Sequence, residues 1–539
     1  MQDQLWYSGT FYWTAEFFKK KKEKKPRPIW YGAASICKKP TNIIEGTEAD
    51  WRILLHMMTP PAGHLQREEQ GGKKKQKNMH TIMGAFILLF HMNLANSNRV
   101  YVHPFKLFSL GNISCENPGL QNKILPDNNL VVPNPITFPH NVTEEAGQPQ
   151  KDSEVSGQNL TQNSVLAGLQ NELGLRMYHE LRKQNASGNI LLSPINIFGT
   201  LVTLYLGAAK QTAADLQRLI GIVEETDNEN CTSPIDGQKI LHALQTINAP
   251  VGQSSDELST AAWLFLNKGI HLQKGFVERT HDFADHTYLK EVDFSDPLSA
   301  ENFVNSFVEV TSSKKVKSLF KGIDPTTDLL FASNFHLKGR WGKGFDIQQT
   351  KIQDFSQTDK SSILIPLMSQ TGNFYYINDK MHRCSVVKLP LNNNSFLMLI
   401  YPNNDKDLHH IENHLKTHVI YNWQKYSKKR CLTISLPKFS MTATSDLKEI
   451  LKKMNLPQLI DKNADFTRLS NKENLTVDKV LNTVVFEVSE QGSQKHDDCQ
   501  DNSHAPFQMK IDKPFLFIVV ESLSNAILML GRITHPEYH

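Results

Sequence analysis

The last apolar part of the chain is DKPFLFIVVESLSNAILMLGRITHP, residues 512–536. Two apolar runs, PFLFIVVES and AILMLGRIT, flank a short polar break. Runs of this length, broken by so few residues, predict two strands closed as a hairpin.

Three runs upstream also read as strands: LLFASNFHLKGRW (329–341), FLMLIYP (396–402) and CLTISLPKFSMTAT (431–444). The last alternates, and Pro437, which has no N–H to give to a ladder, marks a bend or an edge. NILLSPINIFGTLVTLYLGAAKQTAADLQRLIGI (189–222) reads as a short strand, an apolar helix capped by Ser193-Pro194, and a second helix after Thr212. Before it, Leu166, Leu169, Leu173, Met177 and Leu181 recur at spacings of three and four. That predicts an amphipathic helix over Val165–Arg182, with Ser164 as its N-cap. Strands and helices do not alternate strictly, so the pattern favours an α+β domain over a doubly wound sheet.

Composition bounds the function. A chain of 539 residues is one large domain plus flanking segments, and 39% hydrophobic with 21% charged residues suits a buried core. The net charge of +4 is uneven: residues 1–78 hold 15 Lys and Arg against 8 Asp and Glu, and residues 98–539 are net acidic. That excludes a nucleic-acid platform. IMGAFILLF (82–90) follows Lys73, Lys74, Lys75 and Lys77 and precedes Ala95-Asn96-Ser97. A basic flank, a short apolar core and small residues at the −3 and −1 positions predict a secretory signal peptide over 79–97, cut between Ser97 and Asn98. The core is too short to span a bilayer, so no stable membrane association is expected after removal. Met79 is then the natural start, and residues 1–78 are expected to be a spurious or alternative extension. A signal-anchor with a basic cytoplasmic tail is the alternative.

Six prolines between Pro118 and Pro149 break up residues 98–163, which read as a flexible, extended tail ahead of a domain over 164–539. Sequons at Asn112, Asn141, Asn159, Asn185, Asn230, Asn393 and Asn474 predict a glycosylated extracellular protein. Five cysteines follow Met79, so at least one is free or paired with another chain. Cys384 and Cys431 lie in strand-like runs and are expected as inert buried thiols. Cys499 lies in a polar loop and is the candidate for a disulfide-linked partner. His409, His410, His414 and His418 include an i, i+4, i+8 series, but no CxxC or HExxH accompanies it. An exposed polar helix is expected there, with no metal or cofactor. No catalytic constellation is legible, so no enzyme activity is expected.

Four segments together resemble the serpin family over about 164–536: NILLSPINIFGTLVTLYLGA, VDFSDPLSAENFVNSFVEVTSSKKVKSLF (292–320), NFHLKGRWGKGFD (334–346) and the terminal DKPF to GRITHP stretch. The resemblance implies three β-sheets, eight or nine helices and an exposed loop before DKPF. In inhibitory serpins a protease cuts that loop, and the freed strand inserts into a sheet. The loop here, FEVSEQGSQKHDDCQDNSHAPF (486–507), keeps Glu490-Gln491-Gly492 but then departs from the small-residue pattern. Lys495, Asp497 and Asp498 put a charge into the sheet in either register, at a penalty of several kcal/mol. A non-inhibitory serpin is expected, with a serine-protease inhibitor as the alternative and a small-hormone carrier as a distant third.

Asn98-Arg99-Val100-Tyr101-Val102-His103-Pro104-Phe105 resembles the angiotensin peptide hormones. The resemblance implies a secreted precursor acting on blood pressure and on salt and fluid balance. Renin, an aspartic protease, would cut Leu107–Phe108 and release Asn98–Leu107. A converting enzyme would then cut Phe105–Lys106, leaving the octapeptide for angiotensin receptors. Lys106 departs from the family pattern at a position removed in processing. The resemblance also implies a Cys115–Cys231 bridge tying the tail to the domain.

Overall fold

The computed structural model describes residues 99–101, 103–110, 137–139 and 153–538, apart from 224–234, 252–256, 393, 457–460, 494–498 and 500–504. In chain order the strands are β1 (Arg99–Tyr101), β2 (Thr137–Pro139), β3 (Ile190–Leu192), β4 (Leu258–Asn267), β5 (His286–Val292), β6 (Leu329–Trp341), β7 (Lys351–Ser356), β8 (Ser362–Asp379), β9 (Cys384–Pro390), β10 (Ser395–Pro402), β11 (Lys428–Pro437), β12 (Phe439–Asp446), β13 (Val477–Gly492), β14 (Phe507–Lys510), β15 (Phe515–Glu521) and β16 (Ile527–Ile533). The α-helices are α1 (Pro104–Phe108), α2 (Ser153–Gln184), α3 (Pro194–Gly207), α4 (Lys210–Ile220), α5 (Gly237–Asn248), α6 (Lys274–Arg279), α7 (Pro297–Thr311), α8 (Asp407–His414), α9 (Thr417–Tyr426) and α10 (Leu447–Lys453).

The expected hairpin is β15 and β16, which pair antiparallel from Phe515↔Ile533. Every residue of both strands is buried, which is why neither run alternates. They lie inside a nine-stranded sheet ordered β14-β11-β8-β9-β10-β15-β16-β3, with β7 on β8. A five-stranded sheet is ordered β12-β13-β6-β4-β5, and β1 and β2 form a two-stranded ribbon. The 18 residues of β8 pair with β7 at one end, with β11 along the middle and with β9 at the other end, so one long strand makes the sheet continuous there. The bend expected at Pro437 is a change of sheet: β11 ends at Pro437 in the nine-stranded sheet, and β12 starts at Phe439 in the five-stranded one.

All fourteen residues of α3 are buried. A helix apolar all round belongs in a core rather than on a surface, and α3 packs against α2, α4, α5, β6 and β16. The Ser193 hydroxyl caps it by accepting from the Asn196 N–H, with Pro194 in the first turn. Two of its polar residues, Asn196 and Thr200, reach the five-stranded sheet. Asn196 Nδ2 donates to Ser333 Oγ (3.1 Å), and Asn482 Nδ2 donates to Thr200 Oγ1 (3.0 Å) and to Ser333. The network joins α3 to β6 and β13 at once.

Two helix expectations fail. α2 begins at Ser153, so Ser164 lies inside it and is not its N-cap. Residues 153–163 contain no proline, and nothing stops the helix from extending upstream of its apolar face. The histidine stretch is two helices, because Leu415 turns extended between α8 and α9. His418 is therefore not on one helix face with His410 and His414, whose rings lie 4.4 Å apart. Nor is α8 merely an exposed polar helix. Glu412 is fully buried, accepting from Arg532 Nη1 (3.0 Å) and from the Tyr178 hydroxyl (2.7 Å). Arg532 also donates to the Gly188 carbonyl, so both charges are paired and bonded. Among the described residues no group of His, Cys, Asp or Glu could hold a metal ion, and no helix is long and apolar enough to cross a membrane.

Candidate functional site

Ser97, Asn98 and Val102 lie outside the described residues, but most of the hormone-like stretch lies within them. Arg99, Val100 and Tyr101 pair antiparallel with Pro139, Phe138 and Thr137. The chain then turns into α1. His103 caps it, its Nδ1 accepting from the Phe105 N–H at 3.3 Å, and Pro104 opens the first turn. The Ser109 N–H closes it on the Phe105 carbonyl at 2.8 Å.

This one-and-a-half-turn helix is docked. Phe108 is 0% exposed and Phe105 8%, and both belong to the main hydrophobic core. Burial of two phenylalanines contributes about 3–6 kcal/mol. An extended tail was expected here, and the structure corrects it over 103–109. The wall that receives it is the start of α5. The Asp236 N–H donates to the Phe108 carbonyl (2.7 Å), Lys239 Nζ donates to the Leu107 carbonyl (2.8 Å), and Ser109 bridges Ile235. Asp236 also caps α5 by accepting from the Lys239 N–H at 3.0 Å. Tyr205 fixes Ile235 from behind, its hydroxyl accepting from the Ile235 N–H at 2.9 Å. The Leu107–Phe108 peptide is therefore held in a helical turn, with its carbonyl on a lysine and its following side chain in the core. Asp236 and Lys239 had no signal in the sequence, since their role exists only once the segment docks.

At the other candidate region, Glu490 is buried at the end of β13. Lys438 Nζ lies 3.0 Å from one of its carboxylate oxygens, and Thr350 Oγ1 donates to the other at 3.0 Å. Burial alone would raise its pKa, but the backbone hydrogen bond, Lys438 and Thr350 together hold it below the ordinary range. Gly492 abuts Gly344, where a Cβ would meet the Gly344 backbone at 2.6 Å. Lys495, Asp497 and Asp498 lie outside the described residues.

The cysteines differ from expectation. Cys431 is not an inert thiol, and Cys499 does not await a second chain: the two form a disulfide across 68 residues. They meet because β14 pairs parallel with β11, bringing the loop before Phe507 alongside Cys431. Cys384 is a free buried thiol as expected, its pKa pushed up by burial and by Asp379 and Asp407. Cys115 and Cys231 lie outside the described residues, as do Asn112, Asn141, Asn230 and Asn393. Asn159 is in α2, and Asn185 and Asn474 are exposed.

The family model for serpins (serine protease inhibitors) matches residues 169–536, well over half of the chain. The chain belongs to the serpin family. Within that family it is similar to the angiotensinogen of Bos taurus, 32% identical over 470 residues that cover 84% of this chain and 98% of that protein. The angiotensinogen of Rattus norvegicus is 30% identical, over 84% of this chain and 97% of its own. Both matches reach beyond the part of the chain that the serpin model covers. Among solved structures, the mouse protein Z-dependent protease inhibitor superposes with a TM-score of 0.62 at 24% identity, over 70% of this chain and 99% of its own. That likeness bears on the fold alone, and it is a serpin fold.

Proposed function

We propose that this serpin is a secreted precursor of an angiotensin-type octapeptide, Asn98–Phe105. The observation that carries the reading is the position of that peptide: an angiotensin-like segment, set on a serpin domain whose relatives are angiotensinogens, runs directly into the docked turn around Leu107–Phe108. Signal cleavage at Ser97–Asn98 would expose its N-terminus. A renin-type aspartic protease would cut Leu107–Phe108, and a converting enzyme would remove Lys106-Leu107, leaving the octapeptide for a membrane receptor. Aspartic proteases take their substrates extended, so α1 must unwind and Phe108 must leave the core before the cut. Docking therefore sets the rate of release. The tail is tied on by Cys115–Cys231 in this reading. Ser109, six residues before Cys115, bridges Ile235, four residues after Cys231, which supports that pairing.

The test is to express the chain in secretory cells, incubate the secreted protein with renin, and read both products by mass spectrometry. An N-terminus at Asn98 and release of Asn98–Leu107 are expected. An intact tail, with serine proteases covalently trapped at residues 493–507, would replace this reading with that of an inhibitor.

A further inference from the structure

β13 ends at Gly492 in the five-stranded sheet, and β14 begins at Phe507 in the nine-stranded one. In serpins the connection between two such strands, once cut, adds to a sheet as an extra strand. Here β13 and β6 are parallel neighbours, paired from Val477↔Leu329 to Gly492↔Trp341, so an added strand would have to part them. Part-way along the connection Cys499 is bonded to Cys431, their Cα atoms 5.6 Å apart. Cys431 precedes Leu432, the register partner of Phe507. The connection is thus anchored on β11 twice, at Cys499 and again at Phe507.

We propose that the Cys431–Cys499 bridge is a latch that keeps this connection out of the five-stranded sheet, cut or uncut. Chain length makes the restraint severe. From Gly492 to Cys499 there is at most about 25 Å of chain. A strand entering between β6 and β13 must reverse after Gly492 and still return to Cys431. Only the seven residues from Ser493 to Cys499 lead to that anchor, against the 13 residues of β6 beside which an added strand would run. The latch is separate from the charged side chains of Lys495, Asp497 and Asp498, which oppose insertion by the desolvation they would suffer. It also leaves a reducible switch. A dithiol supplies two electrons and two protons to the bridge, yielding two thiols and closing to its own disulfide, and the connection is freed.

The test removes the charge barrier first. The full secreted chain carrying Lys495→Ala, Asp497→Ala and Asp498→Ala is nicked within 500–506 by limited proteolysis, with the cut sites mapped by mass spectrometry. Its unfolding midpoint is then measured. With the bridge intact, the nicked protein is expected to unfold no higher than the uncut one. With Cys499→Ser added, the nicked form is expected to unfold at a clearly higher temperature. If that variant folds poorly, Cys431→Ser opens the same bridge from its other end and supplies the same comparison. A rise with the bridge intact would overturn the proposal, and so would no rise after the bridge is removed.

Discussion

Lys239→Met isolates the hold on the Leu107 carbonyl without touching the released peptide. The substitution keeps an apolar stem of similar length and removes only the ammonium donor, which lies 2.8 Å from the Leu107 carbonyl oxygen. A hydrogen bond from a charged donor contributes about 1.5–3 kcal/mol when buried. Lys239 is exposed, so screening brings this to about 0.5–1.5 kcal/mol. The docked state is held mainly by Phe105 and Phe108, whose burial at about 3–6 kcal/mol leaves the open state at roughly 10⁻²–10⁻⁴ of molecules. If cleavage proceeds only from the open state, its rate scales with that population. Loss of the Lys239 bond then raises kcat/KM for release of Asn98–Leu107 about 2- to 10-fold. The assay is the initial rate of decapeptide release by renin, quantified by mass spectrometry, for wild type and variant. A synthetic peptide of residues 98–111 serves as the reference substrate. The peptide is the same for both proteins, so the comparison reports docking and not subsite preference. An unchanged or lower rate in a variant with an unaltered unfolding midpoint would refute the claim that docking limits the cut.

Arg532→Met takes the guanidinium away from the buried Glu412 carboxylate, and is expected to destabilise the domain by about 3–5 kcal/mol in urea unfolding. The double variant with Glu412→Gln should recover part of that loss. The Cys384 thiol, with its pKa raised by burial, is expected to resist iodoacetamide at pH 8 in the native protein and to react on unfolding. Asp379 accepts from Trp423 Nε1 (2.7 Å) and pairs with His382 (2.6 Å). Burial opposes its ionisation, but these hydrogen bonds prevail and its pKa lies below the ordinary value. With a folded-state pKa below the unfolded one, its stabilising contribution is complete above about pH 4 and lost as pH falls through the folded pKa. Asp379→Asn should therefore flatten the acid limb of the stability profile, as read by unfolding midpoints between pH 2 and 5.

What could be read from the sequence divides by range. The strand over 329–341 has the expected bounds, the cap at Ser193-Pro194 is present, and β15 and β16 form the expected hairpin. Each of these is written in adjacent residues, by apolar continuity, a capping hydroxyl or a short connection. The features that were missed are closures between distant parts of the chain. Cys431 and Cys499 are 68 residues apart, and Glu412 and Arg532 are 120 apart. Nothing local marks either pair, because each forms only when a parallel strand or a buried helix brings the ends together. The docked turn is a third kind of case, since its signal was local and was outweighed. His103-Pro104 is a helix start, and Phe105 and Phe108 at i, i+3 give an apolar face. The surrounding prolines suggested an extended tail instead. A proline at the first helical position lacks only an N–H that has no partner there, so it favours a helix start as readily as it breaks a helix interior. The same physics bears on the proposed release. A helix of five residues is far too short to persist by itself. It exists only while Phe105 and Phe108 are in the core and α5 holds the Leu107 and Phe108 carbonyls. A protease that draws out one of these anchors therefore unwinds the turn and exposes the bond in a single step.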